Sequence, residues 1–153
     1  MGVKNYENKR RVYFDMDGVL ADFEKEAIDR NIPFHELKIQ VDAYRHLPIM
    51  EGAKQAVRRV RDAGYEIFVL TKIPKKNPYA ASEKIFWIDD HFPEFEDRII
   101  ISPDKGALGQ EGHFLIDDHP EWANAHNFEN GGGVVIKFER DWSVVYQALG
   151  ITA

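Results

Sequence analysis

The stretch Val12-Tyr13-Phe14-Asp15-Met16-Asp17-Gly18-Val19-Leu20-Ala21-Asp22 decides the fold of this chain. Its apolar beginning predicts a buried strand, so Asp15 and Asp17 follow at the carboxyl end, where open α/β sheets bind their ligands. Two neighbouring carboxylates repel each other unless a cation lies between them, and such hard oxygen ligands suit Mg²⁺. One acid can then attack while the other transfers a proton. Taken alone, the stretch also fits a strand that ends in an Asp-Gly hairpin turn.

A second strand of the same design occurs far downstream. Three apolar residues, 114–116, precede Asp117 and Asp118. By itself such a pair is typical of a helix N-terminus, where acidic side chains interact favourably with the helix dipole. Its position directly after an apolar strand favours a functional role instead.

Between the two acid pairs the chain carries a strand that ends at Thr71 and a loop that contains Lys105. The order acid pair, hydroxyl, lysine, acid pair resembles the four motifs of the haloacid dehalogenase-like phosphatases. The resemblance covers about Val12 to Asp118, which is most of the chain. The segments DMDGVLADF and LIDD look most like the 5'(3')-deoxyribonucleotidase branch of that superfamily.

This resemblance implies an α/β fold, a Rossmann-like three-layer sandwich with a parallel sheet of strand order 5-4-1-2-3. Residues 1–153 are expected to form a single domain, with a helical cap inserted at about residues 23–48. The insertion is short for this family. A reduced cap leaves the site open, which suits a bulky substrate or requires help from a second subunit, so a homodimer is one expectation.

The rest of the chain alternates between predicted strands and helices, which is typical of βα units that build a parallel sheet. The first expected helix spans 51–63. The second has Ser82 as its N-cap, runs to about Phe92 and buries Ile85 and Ile88. A short helix is expected to begin at Pro120, and the last one has Asp141 as its N-cap.

The resemblance also assigns roles to the acids. Asp15 would be the nucleophile that forms an aspartyl-phosphate, and Asp17 the general acid and base. Mg²⁺ would be held by a side-chain oxygen of Asp15, the backbone carbonyl of Asp17 and the carboxylate of Asp118. Asp117 would lie next to these ligands without binding the ion directly.

Thr71 and Lys105 would bind the phosphoryl oxygens, whose negative charge must be neutralised before an anionic carboxylate can attack. Lys84 competes with Lys105 for this role. We expect Lys105 to point at Asp15 near Thr71, and Lys84 to lie farther out and contact substrate. Lys72 adds a further cation for substrate binding at the mouth of the site. Each lysine considered alone is more often a solvated surface charge.

Composition excludes several other classes of function. The chain has no cysteine, so it forms no disulfide, no cysteine zinc site and no thiol nucleophile. A formal net charge of −6 argues against broad nucleic-acid binding and against anionic membranes. Residues 1–11 are polar and no apolar run approaches the length of a membrane span, so we expect a cytoplasmic protein without a secretory signal.

The acidic motifs predict a Mg²⁺-dependent phosphomonoesterase that acts on a small phosphate monoester. The family resemblance implies that this substrate is a nucleoside monophosphate, in particular a deoxyribonucleotide. One alternative keeps the chemistry but changes the substrate to a polynucleotide end, a sugar phosphate or a phosphoprotein. A second alternative is a non-catalytic module that binds a phosphate or a nucleotide, because a fold does not guarantee a function.

Overall fold

A computed structural model describes residues 10–152. These residues are built around a five-stranded parallel sheet. The strands are Arg11–Phe14 (β1), Glu66–Thr71 (β2), Ile99–Ile101 (β3), Phe114–Asp117 (β4) and Val134–Lys137 (β5). Neighbouring strands are parallel and lie in the order β3-β2-β1-β4-β5. This arrangement confirms the predicted fold class and strand order.

Alternate residues of the strands contribute to two cores, because successive side chains of a strand point to opposite faces. Val12 and Phe14 of β1 belong to the larger core. Tyr13, which lies between them in sequence, belongs to the smaller one with Leu115 and Phe128. The central strand is therefore buried on both faces, which explains its nearly continuous apolar run.

Within the described residues 10–152, five α-helices accompany the sheet. They are Phe23–Arg30 (α1), Phe34–Leu37 (α2), Ala53–Asp62 (α3), Ala80–His91 (α4) and Trp142–Ala148 (α5), and shorter 3₁₀ segments span Pro93–Phe95, Lys105–Leu108 and Ala125–Gly131. Asp141 caps α5 as predicted, because its side chain accepts a hydrogen bond from the Ser143 N–H.

Two of the helix predictions are wrong in detail. Helix α4 begins at Ala80, so Ser82 lies inside the helix and is not its N-cap. Ile88 is buried as expected but Ile85 is 38% exposed, because Lys84 and Trp87 occupy the inward face instead. Pro120 begins a series of turns rather than a helix, and helical structure resumes only at Ala125–Gly131.

Residues 23–48, which we propose as the reduced cap, are held to α4. The Glu83 carboxylate accepts hydrogen bonds from the backbone N–H groups of Asp42 and Tyr44 at 2.9 and 3.1 Å. The indole N–H of Trp87 donates to the Leu47 carbonyl at 2.8 Å. The cap backbone is thus fixed by side chains of the helix that follows β2.

The last residue of the first motif, Asp22, links this cap to the other end of the chain. Its carboxylate caps α1 by accepting from the Lys25 N–H at 3.1 Å. It also accepts two hydrogen bonds from the Arg140 guanidinium, at 2.9 and 2.6 Å. The hydrogen bonds from Arg140 lower the pKa of Asp22 below its usual range, although burial opposes the shift.

We expect Arg140→Met to reduce the free energy of unfolding by about 0.5–1 kcal/mol at pH 7, because the Arg140 side chain is half exposed and its charge is screened. The folded-state pKa of Asp22 is depressed, so the bridge stabilises fully above about pH 4 and loses this effect as the pH falls further. Urea unfolding at pH 7 and pH 3 measures the difference. Arg61→Met, which removes a more exposed pair with Asp62, is the control, and a loss that does not shrink at pH 3 would contradict the prediction.

Within residues 10–152, no helix has the length and apolar character needed to cross a bilayer. The expectation of a missing secretory signal depends mainly on residues 1–9, which lie outside the described residues.

Candidate active site

The carboxyl ends of β1 and β4 bring three carboxylates together. Asp15 follows β1, Asp117 ends β4 and Asp118 comes next, and the backbone N–H of Asp15 donates to the Ile116 carbonyl at 3.0 Å. One oxygen from each of the three carboxylates lies within 4.8 Å of the others. Asp15 is 7% exposed. The sequence therefore folds its two acidic strand ends into one cluster.

Lys105 is the cation of this cluster. Its Nζ lies 3.0 Å from Asp15 Oδ1 and 2.9 Å from Asp117 Oδ2, and its side chain is buried. Burial by itself lowers the pKa of Lys105, but the charges of the two carboxylates more than offset this effect and the pKa lies above its ordinary value. Lys105 is thus charged at neutral pH, and the expected contact with Asp15 is confirmed.

The two acids of the second pair differ in their contacts. Asp117 uses both oxygens, since Oδ2 accepts from Lys105 and Oδ1 accepts from the His119 N–H at 2.8 Å. Burial and the nearby charge of Asp15 raise the pKa of Asp118 well above its usual range. Among the described residues, the cluster thus combines three acidic side chains with a single ammonium group, which contacts Asp15 and Asp117. This all-oxygen donor set fits a hard divalent cation such as Mg²⁺.

Gly18 allows the first acidic turn to approach Asp118. A Cβ atom at this position would lie 1.9 Å from Asp118 Oδ2, and the φ angle of +82° is one that side-chain-bearing residues rarely adopt. Glycine avoids both the clash and the backbone strain. The glycine of the first motif is thus required by the carboxylate of the last one.

We expect Gly18→Ala to reduce the free energy of unfolding by roughly 2–4 kcal/mol, the sum of backbone strain and overpacking. Gly150→Ala is the matched control, because Gly150 has a φ of +70° and a Cβ added there would meet no atom within 4 Å. The control should lose only about 1 kcal/mol. Urea denaturation of both variants provides the comparison, and equal losses would show that the Asp118 contact is unimportant.

A second cluster joins Asp17 to the end of β2. Lys84 Nζ lies 3.1 Å from Asp17 Oδ2, 2.8 Å from Thr71 Oγ1 and 2.6 Å from the Lys72 carbonyl oxygen. The expectation that Lys84 lies farther out is wrong, because this side chain is fully buried. Thr71 is at the strand end as predicted, but its hydroxyl contacts Lys84. Lys72 is exposed, and its backbone carbonyl reaches the cluster.

One further contributor could not be foreseen from the sequence. The ring of Tyr44, in the turns of the cap, lies under the Lys84 ammonium group at 4.6 Å from the ring centroid. Burial and the charges of Asp17 and Glu83 raise the pKa of Tyr44 above its ordinary value, so it is neutral. The only signal in the sequence is an aromatic residue in a weakly patterned segment, which is too common to identify a site.

Solved structures share this fold. A hydrolase from Streptococcus pneumoniae aligns with 94% of this chain and 99% of its own, with a TM-score of 0.56 and 13% identity. A haloacid dehalogenase family hydrolase from Deinococcus radiodurans, solved with bound phosphate and sodium, aligns with 94% of this chain and 89% of its own, with a TM-score of 0.51 and 14% identity. These likenesses show that the chain has the fold of haloacid dehalogenase-like hydrolases.

Sequence comparison identifies the family within that class. The model of the family described as 5' nucleotidase, deoxy (pyrimidine), cytosolic type C matches residues 30–143. The cytosolic 5'(3')-deoxyribonucleotidase of Homo sapiens is 30% identical over 71% of this chain and 70% of its own length. The mitochondrial 5'(3')-deoxyribonucleotidase of Mus musculus is 28% identical over 75% of this chain and 67% of its own length. The chain belongs to this 5'-nucleotidase family.

Proposed function

We propose that the protein is a Mg²⁺-dependent phosphomonoesterase that hydrolyses a nucleoside monophosphate, in particular a deoxyribonucleotide, through an aspartyl-phosphate. The observation that carries this proposal is the placement of Asp15. Its carboxylate is buried and lies against the Lys105 ammonium group at 3.0 Å. Asp17, the second acid of the same turn, pairs instead with a different lysine, Lys84.

In the first step an oxygen of the Asp15 carboxylate attacks phosphorus. The new bond joins that oxygen to phosphorus, and the bond from phosphorus to the leaving oxygen breaks with its electron pair. Asp17 gives its carboxyl proton to the leaving oxygen, which departs as an alcohol. Lys105 is placed to stabilise the negative charge around the transferring phosphoryl group.

The second step restores the enzyme. Asp17, now a carboxylate, takes a proton from a water molecule as the water oxygen attacks phosphorus. The bond from phosphorus to Asp15 breaks, its electrons return to the Asp15 carboxylate, and inorganic phosphate leaves. Asp17 is again protonated for the next cycle. Two acids on one turn can therefore perform both half-reactions.

Asp15 and Asp118 would hold the metal with side-chain oxygens and Asp17 with its backbone carbonyl. Asp117 would not bind the metal directly, because both of its oxygens already accept hydrogen bonds, one from Lys105 and one from the His119 N–H. When bound, Mg²⁺ supplies positive charge that offsets the repulsion between the attacking carboxylate and the anionic ester. Burial and the charge of Asp15 raise the pKa of Asp118.

The substrate class is supported by the relatives. Both the human and the mouse relative are named as 5'(3')-deoxyribonucleotidases. The proposed substrate is therefore a deoxyribonucleoside monophosphate.

A substrate screen tests the proposal. Phosphate release is measured with MgCl₂ for deoxyribonucleoside and ribonucleoside monophosphates, a sugar phosphate, a 5'-phosphorylated oligonucleotide and 4-nitrophenyl phosphate. We expect the highest kcat/KM for a deoxyribonucleoside monophosphate. Faster turnover of the oligonucleotide would favour a polynucleotide end as the substrate. Nucleotide binding without any phosphate release would favour a non-catalytic module.

A further inference from the structure

We propose that Lys84 is a positioning residue that fixes the Asp17 carboxylate for proton transfer. The inference rests on the proposed function, in which Asp17 is the general acid and base. It replaces the expectation that Lys84 binds substrate.

The hydrogen bonds of Lys84 are complete without substrate. An ammonium group has three N–H donors and no acceptor. Lys84 directs them at Asp17, Thr71 and the Lys72 carbonyl, with distances between 2.6 and 3.1 Å. Its side chain is fully buried. No donor is therefore left for a phosphoryl oxygen, and the side chain cannot turn outward without breaking three bonds.

Asp17 is held by one oxygen only. Oδ2 accepts the hydrogen bond from Lys84, whereas Oδ1 is buried and has no hydrogen-bond partner within residues 10–152. A buried carboxylate oxygen without a partner costs free energy, so such an atom at a reaction site indicates a functional constraint. Lys84 is therefore the side chain that fixes the orientation of the Asp17 carboxylate within the described residues.

The positive charge of Lys84 favours proton transfer from Asp17 to the leaving oxygen. When Asp17 gives its proton to the leaving oxygen it becomes a carboxylate, and a cation at 3.1 Å from Oδ2 stabilises that product. The Tyr44 ring of the cap covers the ammonium group at 4.6 Å and shields it from water. This interaction is separate from that of Lys105, which contacts Asp15 and Asp117.

The test compares two aryl esters of similar size, phenyl phosphate and 4-nitrophenyl phosphate, so that nucleotide specificity does not enter. Phenolate needs a proton from the enzyme as it leaves, whereas 4-nitrophenolate leaves readily without one. We expect Lys84→Met to reduce kcat/KM by roughly 10²-fold for phenyl phosphate and by less than about 5-fold for 4-nitrophenyl phosphate. Because kcat/KM reports the steps up to departure of the leaving group, this ratio isolates the action of Asp17 as an acid.

Three further variants complete the design. Lys84→Gln keeps a polar donor in the buried site and gives the same readout if Lys84→Met does not fold in a thermal melt. Asp17→Asn should show the same dependence on the leaving group, and adding Lys84→Met to it should leave the ratio of the two esters unchanged. Glu83→Gln is the matched control, because Glu83 is the neighbouring residue on α4 and holds the cap backbone through hydrogen bonds to Asp42 and Tyr44.

The outcomes separate this inference from the proposed function. If the wild-type protein hydrolyses both esters but the Lys84 variants slow them equally, as Glu83→Gln should, then Lys84 is only structural and the inference is wrong. A change confined to KM would assign Lys84 to substrate binding and also overturn it. If the wild-type protein releases phosphate neither from these esters nor from the nucleotides of the substrate screen, the proposed function fails and this inference fails with it.

Discussion

Replacement of Asp15 by Asn is expected to reduce phosphate release by about 10⁴-fold or more, because the amide has nearly the same shape but cannot attack phosphorus. The fold should persist, since Asn retains a side-chain oxygen for the Met16 N–H, which donates to Asp15 Oδ1 at 2.8 Å. Steady-state phosphate release and a thermal melt measure the two effects. Asp62→Asn, which changes a surface carboxylate that is 69% exposed, should have wild-type activity.

The covalent intermediate gives this prediction an independent test. With 4-nitrophenyl phosphate, whose leaving group needs no proton from Asp17, Asp17→Asn should slow mainly the second step, so a phosphoryl group should accumulate on Asp15 and be seen by mass spectrometry of rapidly quenched protein. The double variant with Asp15→Asn should carry none. Near-wild-type turnover by Asp15→Asn would exclude covalent catalysis by this residue, even if the protein proved to be a phosphatase.

Removal of the metal is expected to abolish activity. A chelator should stop phosphate release and added Mg²⁺ should restore it, whereas Ca²⁺ should inhibit because its looser coordination disturbs the alignment of the attacking carboxylate. Full activity in the chelator, or a requirement for zinc, would contradict the proposed site.

Stability provides a readout that does not depend on turnover. Mg²⁺ at about 100 times its Kd should add about 2.7 kcal/mol to the free energy of unfolding, through preferential binding to the folded state. Asp118→Asn should remove most of this gain, because one of the three clustered carboxylates is lost. Thermal melts with and without MgCl₂ measure the shift. An equal shift in the variant would place the metal elsewhere.

The positions of the site residues at the carboxyl ends of strands can be predicted from the sequence, because they depend on local patterns. Apolar runs before Asp15, Thr71 and Asp117 predict strands that end in polar residues, and parallel strands bring such ends to the same edge of a sheet. The family resemblance supplied the strand order and the choice of Lys105. The observed contact between Lys105 and Asp15, at 3.0 Å, agrees with that choice.

Helix α4 shows where local patterns fail. Its sequence offers Ile85 and Ile88 as an apolar pair, yet the helix turns Lys84 inward and leaves Ile85 38% exposed. Helical periodicity predicts which residues share a face of the helix. A lysine in the sequence normally indicates the solvent-exposed face, so the face that carries the buried Lys84 is assigned to the surface by mistake. The free energy of burying that charge is offset only by acceptors from other segments, which are Asp17, Thr71 and the Lys72 carbonyl.

The sequence by itself thus determined the parallel sheet, the acidic strand ends and the residue types suited to a metal and a phosphate. Only the tertiary structure decided how the two lysines are divided between the two acids, with Lys105 on Asp15 and Lys84 on Asp17. It also placed Tyr44 of the cap against Lys84. The physical reason is that a lysine in a helix or loop is solvated by default, and its burial depends on partners distant in sequence whose positions no local pattern encodes.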